Sequence, residues 1–328
     1  MGRFIDEGEV VEFTKEQRDR FLELLNSYKG VTILSHIRPD GDAIGSSLGI
    51  YHILKEAGFK VEIANYSKEL PQDFKFLDGF SKIKNRVDFK DSLIIVCDSG
   101  SIDRVGFDLS GRVIVNIDHH KSNTDYGALN IVKPGAVSTS IVAYYFLKEL
   151  FKVPKNSAKA FYTALLSDSL FFSTSSTNKD SFEFAKELVD LGANPAEIAN
   201  LMKNQKPLSS LRLLAKALDS LKLHLNGKVA TMKITKEDFA KTGANEYARD
   251  GVVEYGKSLA TVSISILFAE LDDKIKVSLR SKGIDVSKIA KSFGGGGHKE
   301  AAGFEVNGKI DKIEKELLEK IKDSGVLS

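Results

Sequence analysis

A chain of 328 residues is long enough for about two domains of typical size, each with a core of its own. Its 47 Lys and Arg nearly balance its 45 Asp and Glu, and the formal charge of +2 excludes a protein that holds long nucleic acid by overall charge alone. The one cysteine, Cys97, excludes a disulfide framework and a thiolate metal cage. The amino terminus has no signal-peptide pattern and no apolar run reaches the ~18 residues of a membrane span, so we expect a cytoplasmic protein.

Short β-branched runs alternate with longer helical patterns from residue 31 onward. The helical patterns run from Ala43 to Ala57 and from about Ser138 to Leu150, and the predicted strands are VTILS, KVEIA, LIIVC and RVIVNI. This alternation predicts an α/β domain, with a parallel sheet that carries helices on both faces.

The second half of the chain has a different rhythm. Helical patterns fill residues 157 to 221 and end in the amphipathic stretch PLSSLRLLAKALDSL. A hairpin pattern around Asn226 and Gly227 follows, then two strands joined by Asp272 and Asp273, a glycine-rich loop, a further strand and a terminal helix. We therefore predict an α/β domain over 1–204, a helical linker over 205–222 and a smaller α+β domain over 223–328.

Histidines and carboxylates follow three of the predicted strands at the point where each ends, which is where open α/β sheets bind their ligands. If these groups also meet Asp168, each pair of like charges ~4 Å apart costs about 4 kcal/mol at an effective dielectric constant of 20, so cations are required. His36, Asp40 and Asp42 follow VTILS, Asp98 follows LIIVC, and Asp118, His119 and His120 follow RVIVNI.

The ligand types are carboxylates and imidazoles without thiolates. They indicate Mn²⁺ first, with Mg²⁺, Co²⁺ or Zn²⁺ as alternatives that the order of affinities does not separate. Two such ions ~3.5 to 4 Å apart would activate a water molecule and stabilise in-line attack on a phosphorus atom.

Several strings resemble a known family. SHIRPDGDAIGS, the strand before Asp98, the triplet at 118–120 and LLSDSLFF resemble the four motifs of the DHH phosphoesterase superfamily, and KVSLRSKGIDVSKIAKSFGGGGHKEAAG resembles its DHH-associated carboxy-terminal domain. The resemblance spans about residues 25 to 308. In length the chain is similar to the stand-alone oligoribonucleases that also dephosphorylate 3′-phosphoadenosine 5′-phosphate (pAp). In the fourth motif Ser167, Ser169 and Leu170 stand where the family often has Thr and then Thr-Gly. The resemblance therefore does not predict the backbone conformation around Asp168.

The resemblance implies a role for each motif residue and an active site in the cleft between the two domains. Asp98 would be shared by two metal ions, His120 would contact the scissile phosphate and help protonate the leaving oxygen, and Asp118 would orient a motif histidine. The implied ligands are His36, Asp40 and Asp98 for one ion, and Asp42, Asp98, His119 and Asp168 for the other.

The second domain offers groups that suit an anion. The strand period places Ser278 and Arg280 on one face of KIKVSLRS, while four glycines before His298 permit close approach of backbone amides to a phosphate. Arg104, just after Asp98, is a further candidate anchor. By resemblance Arg280 and the loop with Gly295, Gly296, Gly297 and His298 hold the terminal nucleotide.

These features together predict a metal-dependent phosphoesterase that cuts oligoribonucleotides of about two to five nucleotides to 5′-mononucleotides and converts pAp to AMP. The alternative within the same class is a phosphodiesterase for cyclic dinucleotides or their linear dimers. An exonuclease for long strands and a non-catalytic nucleotide-binding protein are weaker hypotheses, and the GGGGH loop argues against an inorganic pyrophosphatase. We expect no membrane partner and no stable complex with long nucleic acid; the oligomeric state is open, with a homodimer as one option.

Overall fold

The computed structural model describes residues 13–204, 206–271 and 274–327. The chain divides into two compact units with the boundary between residues 205 and 206. The first twelve residues and the predicted turn at Asp272 and Asp273 lie outside the described residues. Among the described helices, none is both long and apolar enough to cross a membrane.

The first unit contains a six-stranded parallel sheet in the order β3-β2-β1-β4-β5-β6. The order reverses between β1 and β4, and in open α/β sheets such a switch point opens a crevice at the carboxyl ends of the strands. Ser35 pairs with Cys97 across this point, so the residues that follow both strands start at the same level. The strands are β1 Val31–Ser35, β2 Val61–Ala64, β3 Ile83–Lys84, β4 Leu93–Cys97, β5 Ile114–Asp118 and β6 Leu129–Val132.

Helices cover one face of this sheet and share its main core, which includes Phe21, Ile53, Phe146, Phe161 and Phe184. The other face packs against a 3-10 turn, Ile102–Val105, and the loops around it. The sequence predicts helices on both faces of this sheet. Among the described residues, α-helices cover one face, and this turn with its loops covers the other. The helices are α1 Lys15–Ser27, α2 Gly41–Glu56, α3 Thr139–Leu147, α4 Lys155–Asp168, α5 Lys179–Asp190 and α6 Pro195–Asn204.

The second unit has its own sheet in the order β11-β12-β10-β9-β8-β7, antiparallel except for the parallel pair β8 and β9. Two small cores flank it, one around Phe268 and Leu317 and the other around Leu213 and Met232. The strands are β7 Lys222–His224, β8 Val229–Ile234, β9 Ile264–Leu271, β10 Lys274–Ser281, β11 Gly296–Gly297 and β12 Ala301–Val306. The helices are α7 Leu208–Asp219, α8 Lys236–Thr242, α9 Val252–Lys257, α10 Val286–Lys291 and α11 Ile310–Asp323.

Candidate active site

The loop after β1 brings three polar groups to the start of α2. His36 is buried directly after the strand, and Asp40 is the N-cap of α2, where its Oδ1 accepts hydrogen bonds from the backbone amides of Asp42 and Ala43 at 3.0 Å each. Capping removes the cost of orphaned amides at a helix start. Asp40 therefore acts as a cap with one oxygen while its second oxygen remains available to a ligand.

Asp42 is buried in the first turn of α2 and contacts the start of α3. Its Oδ2 accepts a hydrogen bond from the backbone amide of Thr139 at 2.7 Å, and its Oδ1 one from Ser46 Oγ at 2.9 Å. Thr139 also donates from its Oγ1 to Asp98 Oδ1 at 2.9 Å. The sequence interpretation missed Thr139; the string VSTS before a helical pattern was the signal, because such residues typically begin helices.

Asp168 is the last residue of α4, and close packing of α4 on α2 places it beside Asp42. A methyl group on Gly41 would lie 2.4 Å from Ser167 Oγ, one on Gly45 would lie 2.5 Å from the carbonyl oxygen of Ala160, and one on Gly49 would lie 2.2 Å from the Phe161 ring. Only glycine at these three positions lets the helices approach this closely. The stripe of small residues thus brings a carboxylate from α4 to the switch point of the sheet.

Asp98 is buried directly after β4 in a left-handed conformation, with φ 55°. A side-chain-bearing residue rarely adopts this region, and such strain concentrates at functional sites. Its Oδ2 lies 3.6 Å from Nε2 of His36, and its Oδ1 lies 3.7 Å from Nε2 of His119 and 3.7 Å from Nδ1 of His120. Asp98 therefore contacts all three histidines that follow β1 and β5.

Two of these histidines present Nε2 toward the carboxylates. Nδ1 of His119 donates to the carbonyl oxygen of Ala136 at 2.8 Å, and Nδ1 of His36 to that of Ile37 at 2.9 Å. With Nδ1 protonated, Nε2 carries the lone pair of the neutral ring, and this is how proteins orient metal-binding imidazoles. Nε2 of His119 lies 3.8 Å from Asp42 and 3.4 Å from Asp168.

His120 points differently because Asp118 holds it. The buried Asp118 accepts from Nδ1 of His120 at 2.7 Å and also from Nδ2 of Asn123. Burial acts to lower the pKa of His120, but the bond to Asp118 and the charge of Asp98 outweigh it and raise that pKa to about 9. Asp118 thus positions His120 rather than one of the residues predicted as ligands.

Ligand atoms of these residues form three overlapping groups in which all atoms lie within 4.8 Å of one another. One group has the three residues predicted for one ion. Another has three of the four residues predicted for the other ion but lacks Asp98, which occurs in the remaining two groups. The groups are Asp98 with His119 and His120, His36 with Asp40 and Asp98, and Asp42 with His119 and Asp168.

The carboxylates do not share their ionisation evenly. Burial and the charges of Asp98 and Asp168 raise the pKa of Asp42 well above its usual range, and burial with repulsion from Asp40 and Asp98 raises the pKa of Asp168 to about 7 against the opposing charge of His119. Burial also acts to raise the pKa of Asp98, but the contact with His36 and the charges of the other histidines hold it well below its usual range. Cations bound among these oxygens would relieve this repulsion, and the donor set of carboxylates and imidazoles suits divalent metal ions.

The fourth motif departs from the family pattern, and the structure gives its backbone. After Asp168 and Ser169 come three residues in the left-handed region, Leu170 at φ 45°, Phe171 at φ 57° and Phe172 at φ 64°. Ser169 holds this turn, since its Oγ donates to the carbonyl oxygen of Leu165 at 2.6 Å and accepts from the amide of Phe172 at 3.0 Å. Leucine thus occupies a conformation that glycine adopts more easily.

Arg104 lies in the first unit, near the histidines. It is exposed, its carbonyl oxygen accepts from the amide of Ile37 at 2.7 Å, and its charge acts to lower the pKa of both His36 and His120. A cation at this rim can attract an anionic substrate to the site.

The remaining candidate anchors lie together in the second unit. Ser278 on β10 pairs with Gly303 on β12, which pairs in turn with Gly296 on β11, so three adjacent strands carry them. Arg280 is partly engaged, because its Nε donates to Glu254 Oε1 at 3.0 Å. The backbone amide of the exposed His298 donates to the carbonyl oxygen of Ala301 at 2.8 Å, and Gly295 and Gly297 flank Gly296 in this loop.

Comparisons with known proteins match both units. Residues 30–167 match the model of the DHH family, N-terminal domain, and residues 226–323 match that of the DHHA1 domain. Two relatives are named bifunctional oligoribonuclease and PAP phosphatase NrnA. The one from Thermus thermophilus is 29% identical over 92% of this chain and 92% of its own, and the one from Bacillus subtilis is 27% identical over 88% and 93%. The crystal structure of an exopolyphosphatase-related protein from Bacteroides fragilis is similar, with a TM-score of 0.86, 27% identity, and coverage of 96% of this chain and 99% of that one.

Proposed function

We propose that this chain, which contains a DHH-family N-terminal domain and a DHHA1 domain, is a metal-dependent phosphoesterase that cuts short oligoribonucleotides to 5′-mononucleotides and removes the 3′-phosphate of pAp. The relatives that match it over nearly its whole length carry names for both activities. The observation that carries the proposal is the convergence of carboxylates and imidazoles around the buried Asp98 at the switch point of the first sheet.

We assign His36, Asp40 and Asp98 to one divalent ion, with Asp98 shared. Asp42, Asp98, His119 and Asp168 hold the other. When bound, such ions supply an activated water and stabilise charge that develops on the phosphoryl oxygens. Mn²⁺ is the proposed ion because carboxylate and imidazole donors without thiolates suit it, with Mg²⁺ or Co²⁺ as substitutes.

The chain itself positions the proton donor. Asp118 fixes Nδ1 of His120, so the proton available to a leaving oxygen is the one on Nε2. The hydrogen bond to Asp118 favours the protonated form of the His120 ring, which suits a group that donates a proton to a leaving alkoxide.

The substrate phosphates need cations and amides beyond the ligands. We assign Arg104 to this role in the first unit. In the second unit we assign it to Ser278, Arg280, His298 and the glycines at 295–297, with Arg280 exchanging its contact with Glu254 for the nucleotide. We place the activity in the cytoplasm, with short RNA and pAp as substrates.

One experiment tests the activity directly. Purified protein with Mn²⁺ receives a labelled dinucleotide, pAp and a cyclic dinucleotide in parallel, and product release is followed by chromatography. We expect the first two to be hydrolysed faster than the third. A preference for the cyclic dinucleotide would replace the proposal with the phosphodiesterase alternative, and an absence of turnover on all three would overturn both.

A further inference from the structure

A pocket of about 440 Å³ lies in the first unit, and the described residues that line it include none of the candidate metal ligands. It is formed by the segments that follow β2 and β3. Its volume falls within the range of small-molecule sites, about 300 to 1,000 Å³. Six of its lining residues bear on its chemistry: Ser67, Lys68, Leu70, Ile83, Lys84 and Arg86.

The lining combines cations with an apolar surface. Lys68, Lys84 and Arg86 are exposed at the pocket, and the residues that the described part of the chain contributes to the lining include no carboxylate. Asp88 lies outside the lining and accepts from Lys84 Nζ at 2.6 Å and from Arg86 Nε at 2.8 Å. Leu70 and Ile83 are half-buried. This chemistry fits a ligand with an anionic group and an apolar ring.

The pocket lies on the same edge of the sheet as the candidate metal ligands. Leu34 on β1 pairs with Ala64 on β2, and Ala64 pairs with Lys84 on β3. Neighbouring strands lie about 4.8 Å apart, so the backbone of Lys84 is about 10 Å from that of β1, whose carboxyl end leads into His36. A chain molecule with one phosphate at the metal ligands can therefore extend toward the pocket.

Residues of the pocket also hold the loop that carries two ligands. Ser67 Oγ accepts from the backbone amide of Arg38 at 2.7 Å, and Asn65 Nδ2 donates to the carbonyl oxygen of His36 at 2.9 Å. Asn65 also lines the pocket. The pocket and the ligand loop are thus joined by direct hydrogen bonds.

Two exposed apolar side chains lie beside the ligand loop and the pocket segment. Ile37 is 41% exposed and Tyr66 is 55% exposed. Both side chains pack over Gly106, since a methyl group there would lie 2.8 Å from Ile37 and 2.9 Å from Tyr66. Exposed aromatic rings offer a surface on which bases stack.

We propose that this pocket binds a nucleoside phosphate unit of the oligoribonucleotide beyond the one cleaved, with the phosphate at Lys68, Lys84 and Arg86 and the nucleoside against Leu70 and Ile83. The proposal rests on the proposed function. It assigns to the first unit a subsite that short RNA fills and that pAp, a single nucleotide held at the metal ligands, does not reach.

Binding is tested with fluorescently labelled pentaadenylate in EDTA, so that no hydrolysis is needed. The variants are Lys68→Glu and Arg86→Glu, with Lys82→Glu as the matched control because Lys82 is exposed nearby but outside the lining. We expect each pocket variant to lose at least about fivefold in affinity, as for loss of a charge-assisted hydrogen bond, and its salt slope to become shallower by about 0.7 per lost phosphate contact. Equal affinities and slopes for the pocket and control variants would overturn the subsite.

Turnover with Mn²⁺ separates the subsite from the activity. We expect the pocket variants to raise KM for pentaadenylate with kcat unchanged, and to leave kcat/KM for pAp within twofold of the wild type. An equal loss on pAp would overturn the proposed position of the pocket. A wild-type enzyme inactive on both substrates would refute the proposed function, and the binding experiment in EDTA would still decide on the pocket.

AMP binding, followed by calorimetry on the same variants, identifies the source of the nucleotide. We expect the pocket substitutions to lower the affinity for pentaadenylate by at least as large a factor as the affinity for AMP. Weaker AMP binding with unchanged pentaadenylate affinity would assign the pocket to free mononucleotides and overturn its role in binding the chain.

Discussion

Replacement of Asp168 by asparagine should stabilise the protein when metal is removed and destabilise it, relative to wild type, when metal is added. Ligand oxygens of Asp42 and Asp168 lie within 4.8 Å of each other, and two charges at that distance repel by about 3.5 kcal/mol at an effective dielectric constant of 20. The contact of Asp168 with Nε2 of His119, at 3.4 Å, would offset part of this repulsion. If about half of the repulsion energy remains, Asp168→Asn raises Tm in chelator by about 3 to 7 °C, since 1 kcal/mol corresponds to about 2–4 °C for a domain of this size.

Metal should reverse the order of stability. A metal ion present at 100 times its Kd stabilises the folded state by about 2.7 kcal/mol. Asp168→Asn lacks one charged metal-binding side chain, so metal should stabilise this variant much less. Scanning calorimetry at pH 8, with EDTA or with saturating Mn²⁺, measures both effects, and Asp78→Asn is the control because Asp78 is exposed and outside the three ligand groups.

The pH dependence in chelator gives an independent check. A carboxyl whose pKa in the folded state is raised to about 7, above the ordinary value of about 3.9, destabilises the folded protein. This destabilisation is absent below pH 4 and complete above pH 7. The advantage of Asp168→Asn in chelator should therefore shrink as the pH falls from 8 to 5. A variant less stable than wild type in EDTA at pH 8, or one with the full Mn²⁺ response, would refute the reasoning.

The remaining predictions concern turnover, strain and salt. Asp98→Ala should abolish hydrolysis of pAp and dinucleotides, as EDTA should reversibly, and activity within tenfold of wild type would contradict a shared ligand. Arg280→Ala should lower kcat/KM about ten- to hundredfold through KM, whereas slower single-turnover chemistry with normal binding would exclude an anchor. Leu170→Gly should raise the free energy of unfolding by about 0.5 to 1 kcal/mol because it relieves the left-handed φ, and urea denaturation that shows a loss would contradict this. Binding of short RNA should have a salt slope of about −1.4 to −2.1, for two to three phosphates; a slope for six or more, or fastest processive degradation of a 24-mer, would indicate a long-strand exonuclease.

The sequence predicts four strands of the first sheet well because they are almost wholly buried and appear as short runs rich in Val and Ile. β3 and β6 escaped prediction. β3 has two residues and β6 is half-buried, so neither has a run long enough to stand out. The motif residues were found because strand ends converge in a parallel sheet. The close approach of α2 and α4 was missed, since Gly41, Gly45 and Gly49 indicate it only when the partner helix is known.

The pocket beside β2 and β3 could not be predicted for a similar reason. Lys68, Lys84 and Arg86 belong to segments separated by sequence that shows no common pattern, and only the strand register brings them together. The left-handed Asp98 was also hidden, because nothing in LIIVCDSG distinguishes a strained aspartate from an ordinary one.

The contact between α2 and α4 has a consequence for how this site can change over evolutionary time. Asp42 and Asp168 are carried by helices whose separation is set by hydrogen atoms at Gly41, Gly45 and Gly49. Any side chain at one of these positions would move α4 outward together with Asp168. Single substitutions of these glycines are therefore not neutral unless Ala160, Phe161 or Ser167 changes in compensation. Substitutions at the three glycines and at the residues that face them should therefore be accepted together or not at all, and a library randomised at the glycines alone should return only glycine at these positions among its active members.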